Sequence, residues 1–477
     1  GQGKNTYGIG SRIEIKLDGK VLMQEMMPTR GFQSSVDYTL VFGLGKTKTI
    51  DELKITWPDS KVQVIRQVEA GQTLMLDQAN ASEPTENDVA ETQPYFENIT
   101  KDSLLLFTHK ENNFVDFRRE QLLPHKLSIQ GPKIAKADVN GDGLEDVFIG
   151  GAKGSPGMLF IQTRSGHFST PKNNDFSEDS MSEDLGALFF DADNDGDMDL
   201  YVVSGGNDFD PDSPELQDRL YFNDGKGQFK KKAGAVPNML TSGSCVTASD
   251  FDNDGDLDLF VGGRLVPGRY PTAPRSYILQ NDGKGNFKDI TLTVNSDLEN
   301  PGMVTDALWT DFNGDGNDDL IVVGEWMGIR VFENRNAKLV DISESCGTKD
   351  SEGWWNKIIS GDFDNDGDTD YVFGNFGLNS QLKASTSEPV TLYAKDFDNN
   401  GSIDPIMCSY VMGESYPVFS KDDLTGQLSG LKAKYVNYSD YANKKITDIF
   451  TAEQLKDATV LKANNLATTY MENLGNN

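Results

Sequence analysis

From Phe96 onward the chain repeats one alternation of apolar and polar segments. A short apolar run leads into nine polar residues, and a second apolar run leads out. The pattern is plainest where Ala187-Leu188-Phe189-Phe190 precedes Asp191–Asp199 and Leu200-Tyr201-Val202-Val203 follows it. Apolar runs this short, bounded by turn-forming residues, predict β-strands rather than helices. A hairpin comes next in each unit: Leu220–Phe229 (LYFNDGKGQF), with partners at Leu159–Phe168, Ile278–Phe287 and Val331–Leu339. Asp-Gly-Lys-Gly supplies the positive-φ residues that a tight hairpin needs. A closing strand such as Phe287–Thr291 or Leu339–Ser343 completes the unit. Four short strands per unit predict the blades of a β-propeller.

The polar stretches begin at Asp138, Asp191, Asp250, Asp311, Asp362 and Asp396. The last interval is the shortest, which predicts a trimmed or irregular blade there. Phe96–Thr100 matches a closing strand, and Tyr470–Asn476 matches the start of a hairpin. Together they predict about seven blades and a propeller truncated at its C-terminal end, and with Gly1 at the opening the chain reads as a segment of a longer protein. Residues 1–78 lack the polar stretch. Alternation over Arg12–Leu17, Val21–Glu25, Tyr38–Phe42, Leu53–Trp57, Val62–Val68 and Thr73–Leu76 predicts a small β-sandwich or barrel, with a turn at Asp18-Gly19. Residues 79–95 are polar and acidic without periodicity, which predicts a linker before the propeller at 96–477. The expected fold is all-β throughout.

The polar stretches carry the chemistry. Asp191-Ala-Asp193-Asn-Asp195-Gly196-Asp197-Met-Asp199 holds five carboxylates around one glycine. Such crowding is repulsive unless a cation sits among the charges. Positions 1, 3, 5 and 9 offer side-chain oxygens and position 7 a backbone carbonyl, a donor set suited to Ca²⁺. The ligands are then Asp191, Asp193, Asp195, Asp197 and Asp199, repeated as Asp250, Asp252, Asp254, Asp256 and Asp258 and as Asp362, Asp364, Asp366, Asp368 and Asp370. Looser copies are Asp138, Asn140, Asp142, Leu144 and Asp146; Asp311, Asn313, Asp315, Asn317 and Asp319; and Asp396, Asp398, Asn400, Ser402 and Asp404. The expectation is about five to six Ca²⁺ sites. Position 6 is glycine in all six: Gly143, Gly196, Gly255, Gly316, Gly367 and Gly401. An EF-hand would need Glu at position 12, where this chain has Ile149, Val202, Val261, Val322, Phe373 and Met407. A strand–loop–strand site is therefore predicted.

Composition narrows the function classes. The chain has 477 residues, a net charge of −31, 47 glycines and 37% hydrophobic residues. Strong acidity disfavours nucleic acid and anionic lipid as partners. No apolar run is long enough for a membrane helix. Cys245, Cys346 and Cys408 are too few and too scattered for a disulfide framework, and read as core thiols.

On these residues the repeats resemble the FG-GAP/VCBS family, whose calcium-loop blades also build integrin α-subunit propellers. Gly8–Arg12, Gly31–Ser34, Phe42–Gly45 and Trp57-Pro58-Asp59 resemble the ASPIC/UnbV domain. The combination is similar to the cartilage acidic protein group and to large surface proteins of Bacteroidota-type bacteria. That resemblance implies a secreted or cell-surface protein, associated with an outer-membrane complex, in which calcium stiffens the blades and the protein serves binding or adhesion.

No catalytic constellation stands out. His109, His125 and His167 share no spacing suited to zinc or a triad. Trp326, Trp354 and Trp355 have two readings: packing between blades, or a surface on which a sugar or peptide stacks. Arg264, Arg269 and Arg275 form the one compact basic stretch, either a solvated loop or a reader of an acidic partner. The expected function is a non-enzymatic recognition or adhesion scaffold for a protein or glycan. The alternative is a carbohydrate-active or other hydrolase with its site at the propeller mouth.

Overall fold

A computed structural model describes the chain at residues 1–84, 95–100, 105–172 and 174–475. It divides into two compact units, residues 1–98 and 99–477.

In the first unit, β1 (Arg12–Leu17), β2 (Lys20–Glu25), β3 (Thr49–Thr56) and β4 (Val62–Glu69) form one antiparallel sheet in the order β2-β1-β3-β4. Alternation places Ile13, Ile15, Leu17, Leu53 and Ile55 on the buried face, where Trp57 and Val68 join them. The turn between β1 and β2 falls at Asp18 and Gly19, both at positive φ. The stretches at 38–42 and 73–76, expected as strands, are unpaired, and Leu40, Phe42 and Leu76 instead cover the sheet's apolar face. Ser82 bridges to Val62, so the chain leaves this unit later than residue 78. Most of the expected linker, 85–94, lies outside the described residues.

The second unit is a succession of antiparallel sheets. Blade one comprises β5 (Ile134–Ala137), β6 (Asp146–Ile149), β7 (Met158–Gln162) and β8 (Phe168–Ser169). Blade two comprises β9 (Asp184–Phe190), β10 (Asp199–Ser204), β11 (Arg219–Asn223) and β12 (Phe229–Lys231). Blade three comprises β13 (Ser242–Ser249), β14 (Asp258–Leu265), β15 (Tyr277–Gln280) and β16 (Lys288–Asp289). Blade four comprises β17 (Met303–Thr310), β18 (Asp319–Met327), β19 (Arg330–Asn334) and β20 (Leu339–Asp341). The first strands of successive blades lie side by side, and hydroxyls cross between them: Ser244 Oγ donates to Val304 O at 2.8 Å, and Thr305 Oγ1 to Trp355 O at 2.8 Å.

Blade five departs from this regularity. It starts with β21 (Gly353–Gly361) and β22 (Asp370–Asn375), and β21 also pairs with β18, merging blades four and five at one end. The chain then builds a separate sheet from β23 (Val390–Lys395), β24 (Asp404–Val411), β25 (Glu414–Pro417) and β26 (Thr459–Ala463), with short helices before β26. Only afterwards does β27 (Thr469–Met471) return to pair with β22. The stretch at 396–404 is therefore nested inside blade five, which accounts for the short interval before it. Thr469–Met471 is the third strand of that same blade, so the stretch from Tyr470 is not the opening of a seventh unit. The expected seven counted both segments separately; the described residues form five blades and one nested sheet. Residues 96–100 form no strand.

Candidate metal centres

All six acidic loops join the first strand of a sheet to its neighbour, as the flanking apolar runs predicted. Their backbone is forced by two left-handed residues. Position 6 is the expected glycine, with φ between 85° and 100°. Position 4 is left-handed as well: Gly141, Asn194, Asn253, Gly314, Asn365 and Asn399. Glycine and asparagine are the residues that tolerate this conformation best. With the loop so curled, position 1 caps its turn. Asp191 accepts from the amides of Asp195 (3.2 Å) and Gly196 (3.0 Å), and Asp138, Asp250, Asp311 and Asp396 do the same in their loops.

The carboxylates converge. Oxygens of Asp191, Asp193 and Asp199 lie within 4.8 Å of one another, as do those of Asp250, Asp252 and Asp254, of Asp362, Asp364 and Asp366, and of Asp396, Asp398 and Asp404. In the loops at 138–146 and 311–319, Asn140 and Asn313 put an amide in place of the third carboxylate. Buried oxygens of Asp193, Asp197, Asp252, Asp256, Asp258, Asp319 and Asp368 have no hydrogen-bond partner. Burial, with neighbouring carboxylates adding to it, pushes Asp197 and Asp256 up to about 6, Asp199 and Asp319 to about 7 and Asp258 to about 8. Unpartnered acceptors that resist ionising alone are a donor set that could hold a hard cation. The side chain at position 7, treated in the sequence only as a carbonyl donor, also buries an unpartnered oxygen in Asp197, Asp256 and Asp368, while the backbone amides of these residues donate to Asp195, Asp254 and Asp366.

Position 9 has a second task that the sequence reading missed. Asp199 Oδ2 accepts from the Ala192 amide (3.1 Å) and Oδ1 from the Asn223 amide (2.8 Å) on the hairpin strand. The Asn223 side chain reaches back to Val139 O, in the loop of the preceding blade, at 2.7 Å. The same latch recurs as Asn281 to Asp258 and Ala192 O, Asn334 to Asp319 and Phe251 O, and Asn473 to Asp370 and Phe312 O. An Asn-Asp, Asn-Arg or Asn-Leu step opening each hairpin turn was the available signal. The hairpin's second glycine closes the joint, since a Cβ at Gly285 would meet Phe222 of the preceding blade at 2.3 Å.

The other candidates are corrected. Trp326 (4% exposed), Trp354 (5%) and Trp355 (0%) are core residues and offer no stacking surface. Trp326 and Trp354 pack edge to face with centroids 4.8 Å apart and join Val390, Leu392 and Met407 of the nested sheet in one cluster. Arg264 is buried against Glu325, and Arg275 pairs with Asp289 and Glu299, so the basic stretch is no patch. Cys408 is buried, but Cys346 is exposed and not a core thiol. His167 lies in the β7–β8 turn beside Ser165, while His125 contacts Glu325 and His109 contacts Glu111.

Family models match on both units. Residues 1–83 match the ASPIC and UnbV model, and residues 138–202, 203–261 and 311–373 match the FG-GAP-like repeat model. The matched repeats take in the five blade loops and leave out the nested one. No curated protein matches the chain. Among solved structures, an Agrocybe aegerita lectin that recognises non-reducing terminal N-acetylglucosamine is 15% identical over 70% of this chain and 72% of its own, with a TM-score of 0.33. A thermostable family-43 glycoside hydrolase is 11% identical over 62% of this chain and 96% of its own, with a TM-score of 0.27. At these scores neither likeness bears on function.

Proposed function

We propose that this chain, an ASPIC/UnbV domain followed by FG-GAP-like repeats, is a calcium-stiffened recognition or adhesion scaffold acting outside the cell on a protein or glycan partner. The carrying observation is the coupling of two features at one residue. Asp199 at position 9 belongs to the convergent carboxylates and also anchors the asparagine latch to the preceding blade. A cation held by positions 1, 3, 5, 7 and 9 would neutralise the cluster and fix that joint. Ca²⁺ suits the all-oxygen donors and the flexible loop, and loops of this kind in extracellular modules bind at roughly 10⁻⁴–10⁻³ M. That affinity fits a calcium-rich compartment, hence a location outside the cytosol or at a cell surface such as a bacterial outer membrane. Acidity argues against nucleic acid as the partner.

A non-enzymatic role is part of this proposal. The tryptophans that would have formed a sugar-stacking surface for a hydrolase are buried. Among the described residues, no helix is long and apolar enough to cross a membrane. The test is metal analysis of the purified chain together with melting curves in millimolar Ca²⁺ and in EGTA. Several bound ions and a large calcium-dependent rise in melting temperature are expected. No bound metal and coincident curves would sink the proposal. Binding screens against glycan and protein arrays, run beside turnover assays, then separate scaffold from hydrolase.

A further inference from the structure

The segment before blade one crosses the ends of the strands opposite the acidic loops. Its short helix, Asp116–Arg119, is seated on the connections that leave β10 and β14. Buried Asp116 accepts from Asn207 Nδ2 at 3.1 Å, and it turns the segment back on itself by accepting from Leu127 N and Ser128 Oγ. Arg119 Nη1 donates to Phe209 O at 2.6 Å and Nη2 to Pro267 O at 3.4 Å, while Glu120 accepts from the Tyr270 amide at 2.9 Å. These groups hold the first half of the segment to blades two and three. The second half, residues 121–128, reaches further. Leu123 and Leu127 enter the cluster of Trp326, Trp354 and Val390, and the Gln121 amide donates to Gln427 Oε1 on the helix of the nested sheet. One segment thus ties blades two to five and the nested sheet together.

His125 lies in the middle of that second half, and both of its ring nitrogens face oxygen acceptors. Nδ1 is 3.0 Å from Lys126 O, and Nε2 is 3.2 Å from each oxygen of Glu325. Glu325, near the end of β18, is buried, and Arg264 of β14 and the Tyr270 hydroxyl donate to it as well. The Trp354 ring of β21 packs against the imidazole edge to face at 6.2 Å. Glu325, Arg264 behind it and the Tyr270 hydroxyl bonded to it are the titratable and charged groups that face the ring. A neutral imidazole carries one N–H, so either tautomer turns a lone pair on an acceptor; the imidazolium donates at both nitrogens. We propose that residues 116–128 are a strap across the face opposite the acidic loops, and that His125 is its pH-operated clasp, fastened to Glu325 as the imidazolium. Burial works against the charged ring, but Glu325 outweighs burial and the repulsion of Arg264 and raises the imidazole above its ordinary value. The clasp's contribution is therefore complete below the unfolded value of ~6.5 and is lost as pH rises through the folded one.

The test is hydrogen exchange of the full chain in millimolar Ca²⁺ at about pH 5 and about pH 8, corrected for the intrinsic pH dependence of exchange. Protection over 121–128 should fall severalfold at the higher pH, while 116–120, held by Asp116, Arg119 and Glu120, changes little. His125→Gln can still donate to Glu325 but does not titrate, so its protection over 121–128 should be the same at both pH values. Equal protection of the wild type at both values would overturn the proposal. A fall of the same size in His125→Gln would overturn it too, because another group would then be titrating. The His125 side chain is 39% exposed, which favours a folded variant. Should the variant fail to fold, nitrogen-15 NMR of the histidine-labelled wild type decides: an imidazole that loses its proton below the ordinary value of ~6.5 overturns the clasp. Loop occupancy is measured separately by metal analysis, so failure here leaves the calcium reading standing.

Discussion

The loop at 250–258 and the loop at 396–404 share one nine-residue pattern and one backbone path, yet their surroundings differ. In blade three, Asp258 is bonded by the Asn281 amide, and the Asn281 side chain crosses to Ala192 O in blade two. In the nested sheet, Asp404 Oδ1 is bonded by Gln427 Nε2 at 2.8 Å, from the last turn of the helix Lys421–Gln427, and Oδ2 by the Phe397 amide at 2.9 Å. The first arrangement ties a candidate metal loop to the neighbouring blade; the second closes on its own sheet. One motif can therefore be the cement of a repeat array or a self-contained turn, and the residue opposite position 9 decides which.

Calcium removal should produce the largest effect on this contrast. At a tenfold excess over Kd, each independent site contributes roughly 1.4 kcal/mol, so five blade loops amount to about 7 kcal/mol. Scanning calorimetry in EGTA should show the second unit melting far earlier, with residues 1–98, which lack the loop, melting unchanged. The metal-free chain should also respond to pH with a defined sign. An unfolded aspartate titrates near ~3.9, whereas burial and crowding hold Asp258 at about 8 and Asp199 at about 7. Folded metal-free protein thus keeps protons that the unfolded chain has released. Their stabilising contribution is complete below the unfolded pKa and is lost as pH rises through about 7–8. Calcium holds the clusters ionised in the folded state too and should flatten that slope, which melting temperatures across the window with and without Ca²⁺ will show.

Trp354→Ala comes next, at about 3–5 kcal/mol for a buried aromatic. Its ring joins blade five to the nested sheet through Leu392 and Met407. Hydrogen exchange should therefore accelerate across 390–411 much more than across 242–265. Equal acceleration would mean that the nested sheet is an integral part of the array. Asn281→Ala follows, at about 2–3 kcal/mol, since it strips donors from buried Ala192 O and Leu257 O and an acceptor from the Asp282 amide. Its footprint in hydrogen exchange should span blades two and three.

The all-β class and the six loops were legible because alternation, position-6 glycine and alternate carboxylates are local signals. Position 4 was legible too, as invariant Gly or Asn among the six copies, but it was not used. The asparagine latch was hidden because its partners, 84 residues apart for Asn223 and Val139, meet only once the blades stack. Nesting was hidden for a related reason. The stretch 470–475 looks the same whether it follows its first two strands at once or after a long excursion, and only the pairing of Tyr371 with Met471 tells. Trp326 and Trp354 could not be placed from local pattern, since the apolar neighbours that bury them come from Leu123, Tyr270 and Val390.

Gln427→Ala should have the smallest effect of these changes and the narrowest reach. Asp404 is fully buried, and removing Gln427 takes the donor from one of its oxygens while the Phe397 amide keeps the other. Leaving one buried acceptor unpaired costs about 1–2 kcal/mol, and the half-buried helix end lets water reach part of the gap, which favours the lower figure. No carbonyl of another loop depends on Gln427, so exchange should quicken over 404–411 and stay unchanged over 258–265. A loss that spread into the blades, as Asn281→Ala is expected to spread, would show that the nested loop is joined to the array after all. Calcium should suppress the Gln427→Ala effect if Asp404 Oδ1 can turn to the ion, a compensation unavailable to the carbonyls that Asn281 leaves behind.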